Sequence, residues 1–245
     1  MSKKTFGTNT ICTHVGEIDD KQFKGAISPI YMSTSYQFDA VDVKRYPRYF
    51  DTPNQEHLSK KIAALEHAEV AMIFGSGMAA ISTTLLAFLK AGDHIVVQNT
   101  LYGGTSNFIR EEFSKYGIEY TFTNGYEVSD FEVAIQPNTK VIHIETPSNP
   151  LLTITDIKGV ANLAKAKGLI STIDNTFASP INQNPIDFGI DIVIHSATKY
   201  LGGHSDILAG AVACSKAHME TICFLASCSI GANPSPFDCF MMLRG

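Results

Sequence analysis

The chain has 245 residues, of which 44% are hydrophobic and 18% charged, so it can bury one substantial core and is too apolar to stay disordered. A formal charge of -5 leaves no positive excess to hold a phosphate backbone; nucleic acid is therefore not an expected partner, and any anion site must be local. The five cysteines, Cys12, Cys214, Cys223, Cys228 and Cys239, form no CxxC pair, and their odd number points to reduced thiols instead of a disulfide framework.

Residues 1–10 carry two lysines but lack the apolar run that a secretory signal needs, which gives the expectation of a cytoplasmic protein. Residues 1–55 include SPIYMSTSYQF and RYPRYFDTPNQ, rich in Tyr, Ser and Pro without a sustained period, and are read as an extended N-terminal arm. The main domain is then 56–245. It opens with Leu58, Ile62 and Leu65 at helical spacing, followed by the β-prone run AMIF (71–74). The stretch from Val70 to Leu89 is uncharged and long enough to span a bilayer, but Gly75, Ser76, Gly77, Ser82, Thr83 and Thr84 interrupt it. A strand, a turn and a buried helix account for it, and no membrane association is expected. Further strands are expected at HIVVQ (94–98), EYTF (119–122), KVIHIE (140–145), LISTID (169–174) and DIVIH (191–195). Helical segments fall between them, including VANLAKAKG, where Gly168 supplies a stop. Several strands are apolar throughout, as strands covered on both faces are, so the fold class is α/β with a mainly parallel sheet.

The ends of these strands carry the polar residues of interest. FGSGMAA follows a strand and opens a helix, so the backbone N–H groups near Gly77 and Met78 are placed to receive an anion. The same residues fit GxGxxA, which admits a dinucleotide reading, but the acid that reading needs at the end of the next strand is absent from HIVVQNT. In TLYGGT, Tyr102 sits in a Gly-rich turn, where its ring is either a stacking platform for a planar cofactor or an ordinary core side chain. ETPSNP ends a strand with Asn149 between turn formers. LISTIDNTFASP offers Asp174, which alone reads as a cap or structural acceptor. IDIVIHSATKYLGGHSD delivers Ser196, Thr198 and Lys199 together at a strand end, where α/β sheets bind ligands. Small hydroxyls beside a lysine suit phosphate binding next to an amine that condenses with an aldehyde, and a carboxylate such as Asp174 suits the ring nitrogen of pyridoxal 5′-phosphate (PLP). His195, His204 and Asp206 lack metal-ligand spacing, and structural roles are expected for them.

Taken in order, YxR (Tyr46 and Arg48), SGMAA, LYGG, ETPSNP, DNTFASP and HSATKYLGGHSD resemble the Cys/Met-metabolism family of PLP enzymes, which includes cystathionine γ-synthase, cystathionine lyases and methionine γ-lyase. The match runs from about residue 8 to the end. The resemblance implies the large domain of the PLP-dependent transferase fold type I. It implies that Lys199 is the Schiff-base lysine and proton shuttle, that Asp174 partners the pyridine nitrogen, and that Tyr102 stacks on the ring and assists proton transfer. Gly77, Met78, Ser196 and Thr198 would hold the phosphate, and Asn149 would approach the ring hydroxyl. Tyr46 and Arg48 would reach the phosphate of a neighbouring subunit, which implies at least a dimer, with a homotetramer built as a dimer of dimers. The implied activity is trans-sulfuration in methionine and cysteine biosynthesis: lyase chemistry by β- or γ-elimination, or synthase chemistry with a thiol.

The sequence departs from the family pattern at several points. YFDTPNQ places Pro53 one residue later than the family's SGNPT-like turn, and Arg45 stands where cystathionine-handling members often have an acid, so a distal carboxylate is expected to be favoured over a distal amine. MMLRG falls inside a motif that ordinarily continues as RGLKTL into a C-terminal substrate domain, which is expected to be absent; that domain normally brings the arginine for the substrate α-carboxylate. Methionine γ-lyases tend to have cysteine where Gly104 stands, which disfavours methionine, and GANPSPFDC looks like cystathionine γ-lyases. The readings that remain are a PLP carbon–sulfur lyase or γ-synthase acting on cystathionine or a homoserine ester, a truncated non-catalytic PLP-binding chain, and, more weakly, a methionine γ-lyase or a nicotinamide oxidoreductase.

Overall fold

Apolar residues that run consecutively through short strands need cover on both faces, and the fold supplies it. The structure, a computed structural model, describes residues 6–37, 39 and 45–245. Parts of the segment read as an arm, including Lys3, Lys4 and Phe38, lie outside the described residues. The elements in chain order are α1 (Thr8–His14), α2 (Pro53–Leu65), β1 (Val70–Phe74), α3 (Gly77–Phe88), β2 (His94–Val97), α4 (Gly103–Glu112), β3 (Glu119–Phe122), α5 (Val128–Ala134), β4 (Thr139–Glu145), α6 (Ile157–Lys167), β5 (Ile170–Asp174), α7 (Ser179–Asn182), β6 (Ile192–His195), β7 (Gly210–Cys214), α8 (Lys216–Leu225) and α9 (Pro236–Arg244).

The seven strands form one sheet in the order β1-β7-β6-β5-β4-β2-β3. Only β7 runs against its neighbours, β1 and β6; all other pairings inside the sheet are parallel. The mixed, mostly parallel α/β architecture expected from the strand pattern is the one found. Alternate residues feed opposite faces. Val97, Val141, Ile192 and Ile194 pack with Ile81, Leu85, Ile109 and Ile222 of α3, α4 and α8 on one side. Val96, Ile142, Ile144, Ile173 and Val193 pack with Phe131, Val160 and Ala164 of α5 and α6 on the other. Leu58, Ile62, Ile73, Ala211, Ala213, Cys239 and Met242 form a third cluster that docks α2 and α9.

Local chemistry sets the helix ends. Gln55 Oε1 accepts the Thr52 N–H at 3.1 Å, and Pro53 starts α2 at the position where a missing N–H costs nothing. Ser76 Oγ accepts the Ala79 N–H at 3.0 Å and starts α3. Gly168, with φ 67°, closes α6 as the sequence pattern indicated. Among the described residues the arm read as extended contains α1 and a short 3-10 helix at Pro47–Tyr49, and α2 begins at Pro53, within its expected bounds. The uncharged run Val70–Leu89 resolves into β1, a turn and α3, and no helix among the described residues is long and apolar enough to cross a membrane. All five cysteines are free.

One strand, β7, is missing from the sequence reading. Its sequence GAVAC has a single β-branched residue, so neither bulk nor alternation marks it. The small side chains follow from its surroundings, since β7 is fully buried between β1 and β6, beside the turn that leads into α3. A Cβ at Gly210 would lie 2.1 Å from the Ser76 carbonyl oxygen. Gly210→Ala is therefore expected to destabilise the fold by about 1–3 kcal/mol, read by thermal or denaturant unfolding, because backbone must move to admit the methyl group.

Candidate active site

Because every strand except β7 points the same way, the segments that follow β1, β2, β4, β5 and β6 emerge at one edge of the sheet. They enclose a cavity of about 250 Å³, lined by Ser76, Gly77, Met78, Ile81, Tyr102, Glu145, Asn149, Asp174, Thr176, Phe177, Ser196, Thr198, Lys199 and Leu208. Eight sequence-derived candidates from five separate segments thus meet in one place: Gly77, Met78, Tyr102, Asn149, Asp174, Ser196, Thr198 and Lys199. Tyr46 and Arg48 do not line it. Tyr46 is half-exposed against the edge of Tyr49, and Arg48 Nε donates to the Ser227 carbonyl at 2.9 Å. Arg45 is engaged within the chain, pairing with Glu56 at 2.8 Å and donating to the Asp51 carbonyl.

The floor of the cavity is acidic and buried. Asp174, 5% exposed, uses one oxygen, Oδ1, to accept the Thr176 N–H at 3.0 Å and the Thr176 hydroxyl at 2.5 Å. Among the described residues nothing donates to its other oxygen, which leaves one acceptor facing the cavity. Thr176 Oγ1 in turn accepts the Ser196 N–H at 2.8 Å, tying the β5 and β6 ends together. Glu145 stands opposite Asp174 in the β4–β5 register. Burial, and then the Asp174 charge, push the Glu145 carboxyl up to about 8, against the hydrogen bonds it accepts from Tyr102 and Asn149. Burial likewise raises Asp174, opposed by the Thr176 hydrogen bonds and the His195 charge. Behind this floor, His195 Nε2 pairs with Glu66 at 2.5 Å, both fully enclosed, while His204 Nδ1 contacts the Gly202 carbonyl at 3.1 Å. Among the described residues no group of three His, Cys, Asp or Glu side chains is arranged to hold a metal ion.

The rim supplies donors and an amine. Gly77 and Met78 occupy the first turn of α3, whose N–H groups have no partner within the helix. The close approach requires glycine, because a Cβ at Gly77 would come within 2.7 Å of Ser196 Cβ and 2.9 Å of its Cα. Thr198 Oγ1 donates to the Ala209 carbonyl at 3.0 Å and accepts the Ala209 N–H at 3.0 Å, so a phosphate contact from Thr198 requires that hydroxyl to turn. The Lys199 N–H is held by the Ser196 carbonyl at 3.0 Å, and its exposed ammonium takes part in none of the ion pairs among the described residues. The Tyr102 ring folds over Gly104, where a Cβ would lie 2.4 Å from ring carbon Cε1.

Sequence reasoning passed over Glu145 and Thr176. Both stand inside quoted segments, ETPSNP and DNTFASP, and a carboxylate at a strand end, the position that marked Asp174, was the signal available for Glu145.

Residues 9–245 match the family model described as Cys/Met metabolism PLP-dependent enzyme. Over 243 residues the chain is 40% identical to a probable cystathionine gamma-synthase of Herpetosiphon aurantiacus, covering 98% of this chain and 76% of that protein. It is 44% identical over 218 residues to cystathionine beta-lyase MetC of Bacillus subtilis, covering 89% of this chain and 55% of that protein. The crystal structure of metB from Corynebacterium glutamicum superposes with a TM-score of 0.93 at 40% identity, over 98% of this chain and 63% of that one. The chain therefore spans between about half and three quarters of the length of these relatives.

The cavity suits the cofactor that names the family. PLP brings an aldehyde, a ring nitrogen, a flat ring and a phosphate. Lys199 offers an amine, Asp174 an oxygen with no partner among the described residues, Tyr102 an aromatic face, and the first turn of α3 unpaired N–H groups held against Ser196 by the lack of a side chain at Gly77.

The buried acids make the cofactor-free protein pH-sensitive. A carboxyl raised from 4.5 to about 8 on folding binds its proton in the folded state and not in the unfolded state between those values, so its contribution to stability falls as pH rises through that window. Melting temperatures of the cofactor-free protein across it should include this decline, and Glu145→Gln should flatten it.

Proposed function

Since this chain belongs to the Cys/Met metabolism PLP-dependent enzyme family, we propose that it is a trans-sulfuration enzyme. It holds pyridoxal 5′-phosphate on Lys199 and removes or replaces the sulfur-bearing or activated substituent of an amino-acid substrate. The observation that carries the reading is the meeting of Lys199, the free oxygen of Asp174, the α3 N-terminus and Tyr102 in one cavity.

When bound, the cofactor supplies an electron sink for the substrate α-carbon. The residues of the chain divide the remaining work. Asp174 keeps a proton on the ring nitrogen, which requires its carboxylate to be ionised; a cation beside it offsets the burial that otherwise raises it. Gly77, Met78 and Ser196 would receive the phosphate, and Asn149 would meet the ring hydroxyl. The Lys199 amine would take the proton from the substrate α-carbon and return it later at a neighbouring carbon. Tyr102 covers the ring, excludes water and assists the same transfer. Tyr46 and Arg48, lying outside their own cavity, would serve the phosphate of a second subunit, and the proposed assembly is a dimer or a dimer of dimers in the cytoplasm.

The turn at Gly104 favours cystathionine or a homoserine ester over methionine as substrate. A side chain at that position displaces the Tyr102 ring from its present seat, and the cysteine of methionine γ-lyases would do so.

The test is product formation from cystathionine, and from a homoserine ester plus cysteine, by the protein loaded with cofactor. Pyruvate with homocysteine marks β-elimination, 2-oxobutanoate with cysteine marks γ-elimination, and cystathionine marks synthesis. Lys199→Ala should lower the rate by about 10²–10⁴-fold. No product from a wild-type chain that carries cofactor on Lys199 would replace this reading with that of a non-catalytic cofactor-binding chain.

A further inference from the structure

We propose that Glu145 is a positioning residue that sets Tyr102 and Asn149 at the cavity by binding the backbone of both. Glu145 ends β4, lines the cavity and is 5% exposed. Its two oxygens are divided between two separate segments: Oε2 accepts the Tyr102 N–H at 2.7 Å, and Oε1 accepts the Asn149 N–H at 2.7 Å. One side chain thus spans the segment after β2 and the segment after β4, each of which brings a residue proposed above to contact the cofactor ring. The inference rests on that reading of Tyr102 and Asn149.

The placement argues against a carboxyl group that is merely satisfied. Glu145 is buried opposite Asp174, where two like charges repel, and burial raises both acids. Above the window in which burial keeps it protonated, the ionised side chain offers two acceptor oxygens and no donor, which is what two converging N–H groups require. A glutamine of the same shape would turn an NH₂ group toward one of them. The main chain of Glu145 is fixed as well. Its carbonyl accepts from Gln98 Nε2 at 2.7 Å and its N–H donates to Gln98 Oε1 at 3.3 Å, so the carboxyl group starts from an anchored strand end. Gln98 is fully buried and takes a further hydrogen bond from the Thr155 hydroxyl at 3.1 Å. Both Glu145 oxygens are occupied by the backbone, which favours positioning over proton transfer to a substrate.

The experiment compares wild type, Glu145→Gln and Leu58→Ala, the last being a core variant that does not line the cavity and controls for lost stability. Each is titrated with pyridoxal 5′-phosphate above about pH 8, where Glu145 is ionised, its visible circular dichroism per bound cofactor is recorded, and the attachment site is mapped after borohydride reduction. Glu145→Gln should still attach cofactor at Lys199 but bind it about tenfold or more weakly, the loss expected from one unpaired buried donor, and with most of the visible dichroism gone. Leu58→Ala should keep wild-type values for both. Wild-type affinity and dichroism in Glu145→Gln would overturn the proposal. If that variant does not fold, hydrogen exchange on the wild type decides: the Tyr102 and Asn149 amides should both be protected despite lying in segments between elements, and free exchange of either overturns the inference. A wild type that attaches no cofactor at Lys199 contradicts the proposed function instead, and leaves the amide test standing.

Discussion

Two carboxyl groups buried side by side at the ends of neighbouring parallel strands constrain everything around them. Glu145 and Asp174 are in register on β4 and β5, and neither has an ion-pair partner among the described residues. Burial of such groups is tolerated only where hydrogen-bond donors converge on them. The donors are the N–H groups of Tyr102, Asn149 and Thr176 and the Thr176 hydroxyl, so satisfying the two acids also arranges the segments that follow β2, β4 and β5. One oxygen of Asp174 has no partner among the described residues. That oxygen, in a cavity shared with Lys199, is what separates this sheet edge from an ordinary collection of loops.

The topology makes the convergence unavoidable. A parallel sheet places all its strand ends on one side, and the reversal at β7 returns the chain so that Ala209 meets Thr198 and Gly210 meets the Ser76 turn. Glycine at 77 and at 210 lets the N-terminus of α3 approach Ser196 and β7 more closely than any side chain would permit. The demand for close backbone approach and the demand for an anion cradle are met by the same few residues, which ties stability and binding together at this corner of the fold.

Much of this was legible in the sequence. Strands such as KVIHIE and DIVIH are short, mostly apolar at their centres and bounded by polar turns, and each of the six so marked is present, with ends within one residue of those expected. Strand β7 was hidden because the space beside Ser76 selects Gly and Ala, which carry no strand signal. Asp174, Ser196 and Lys199 were marked by their positions at strand ends. Glu145 also ends a strand but was passed over, because its partners are the backbone N–H groups of two other segments and no spacing along the chain announces such pairings; the tie from Thr176 to the Ser196 N–H is hidden in the same way. The relation of Tyr46 and Arg48 to the cavity was likewise beyond the reach of periodicity: both act, in the proposed assembly, away from their own subunit.

The central claim is that this sheet edge presents Lys199 to a PLP-sized ligand whose phosphate and ring nitrogen are received by the α3 N-terminus and Asp174. The most direct test is stoichiometric labelling: the purified chain is mixed with one equivalent of pyridoxal 5′-phosphate, reduced with borohydride and mapped by peptide mass. The account predicts that the reduced cofactor is found almost entirely on the peptide bearing Lys199, and that an excess of free phosphate diminishes it. Label spread over exposed lysines such as Lys60 and Lys115, with Lys199 no more modified than they are, would contradict it.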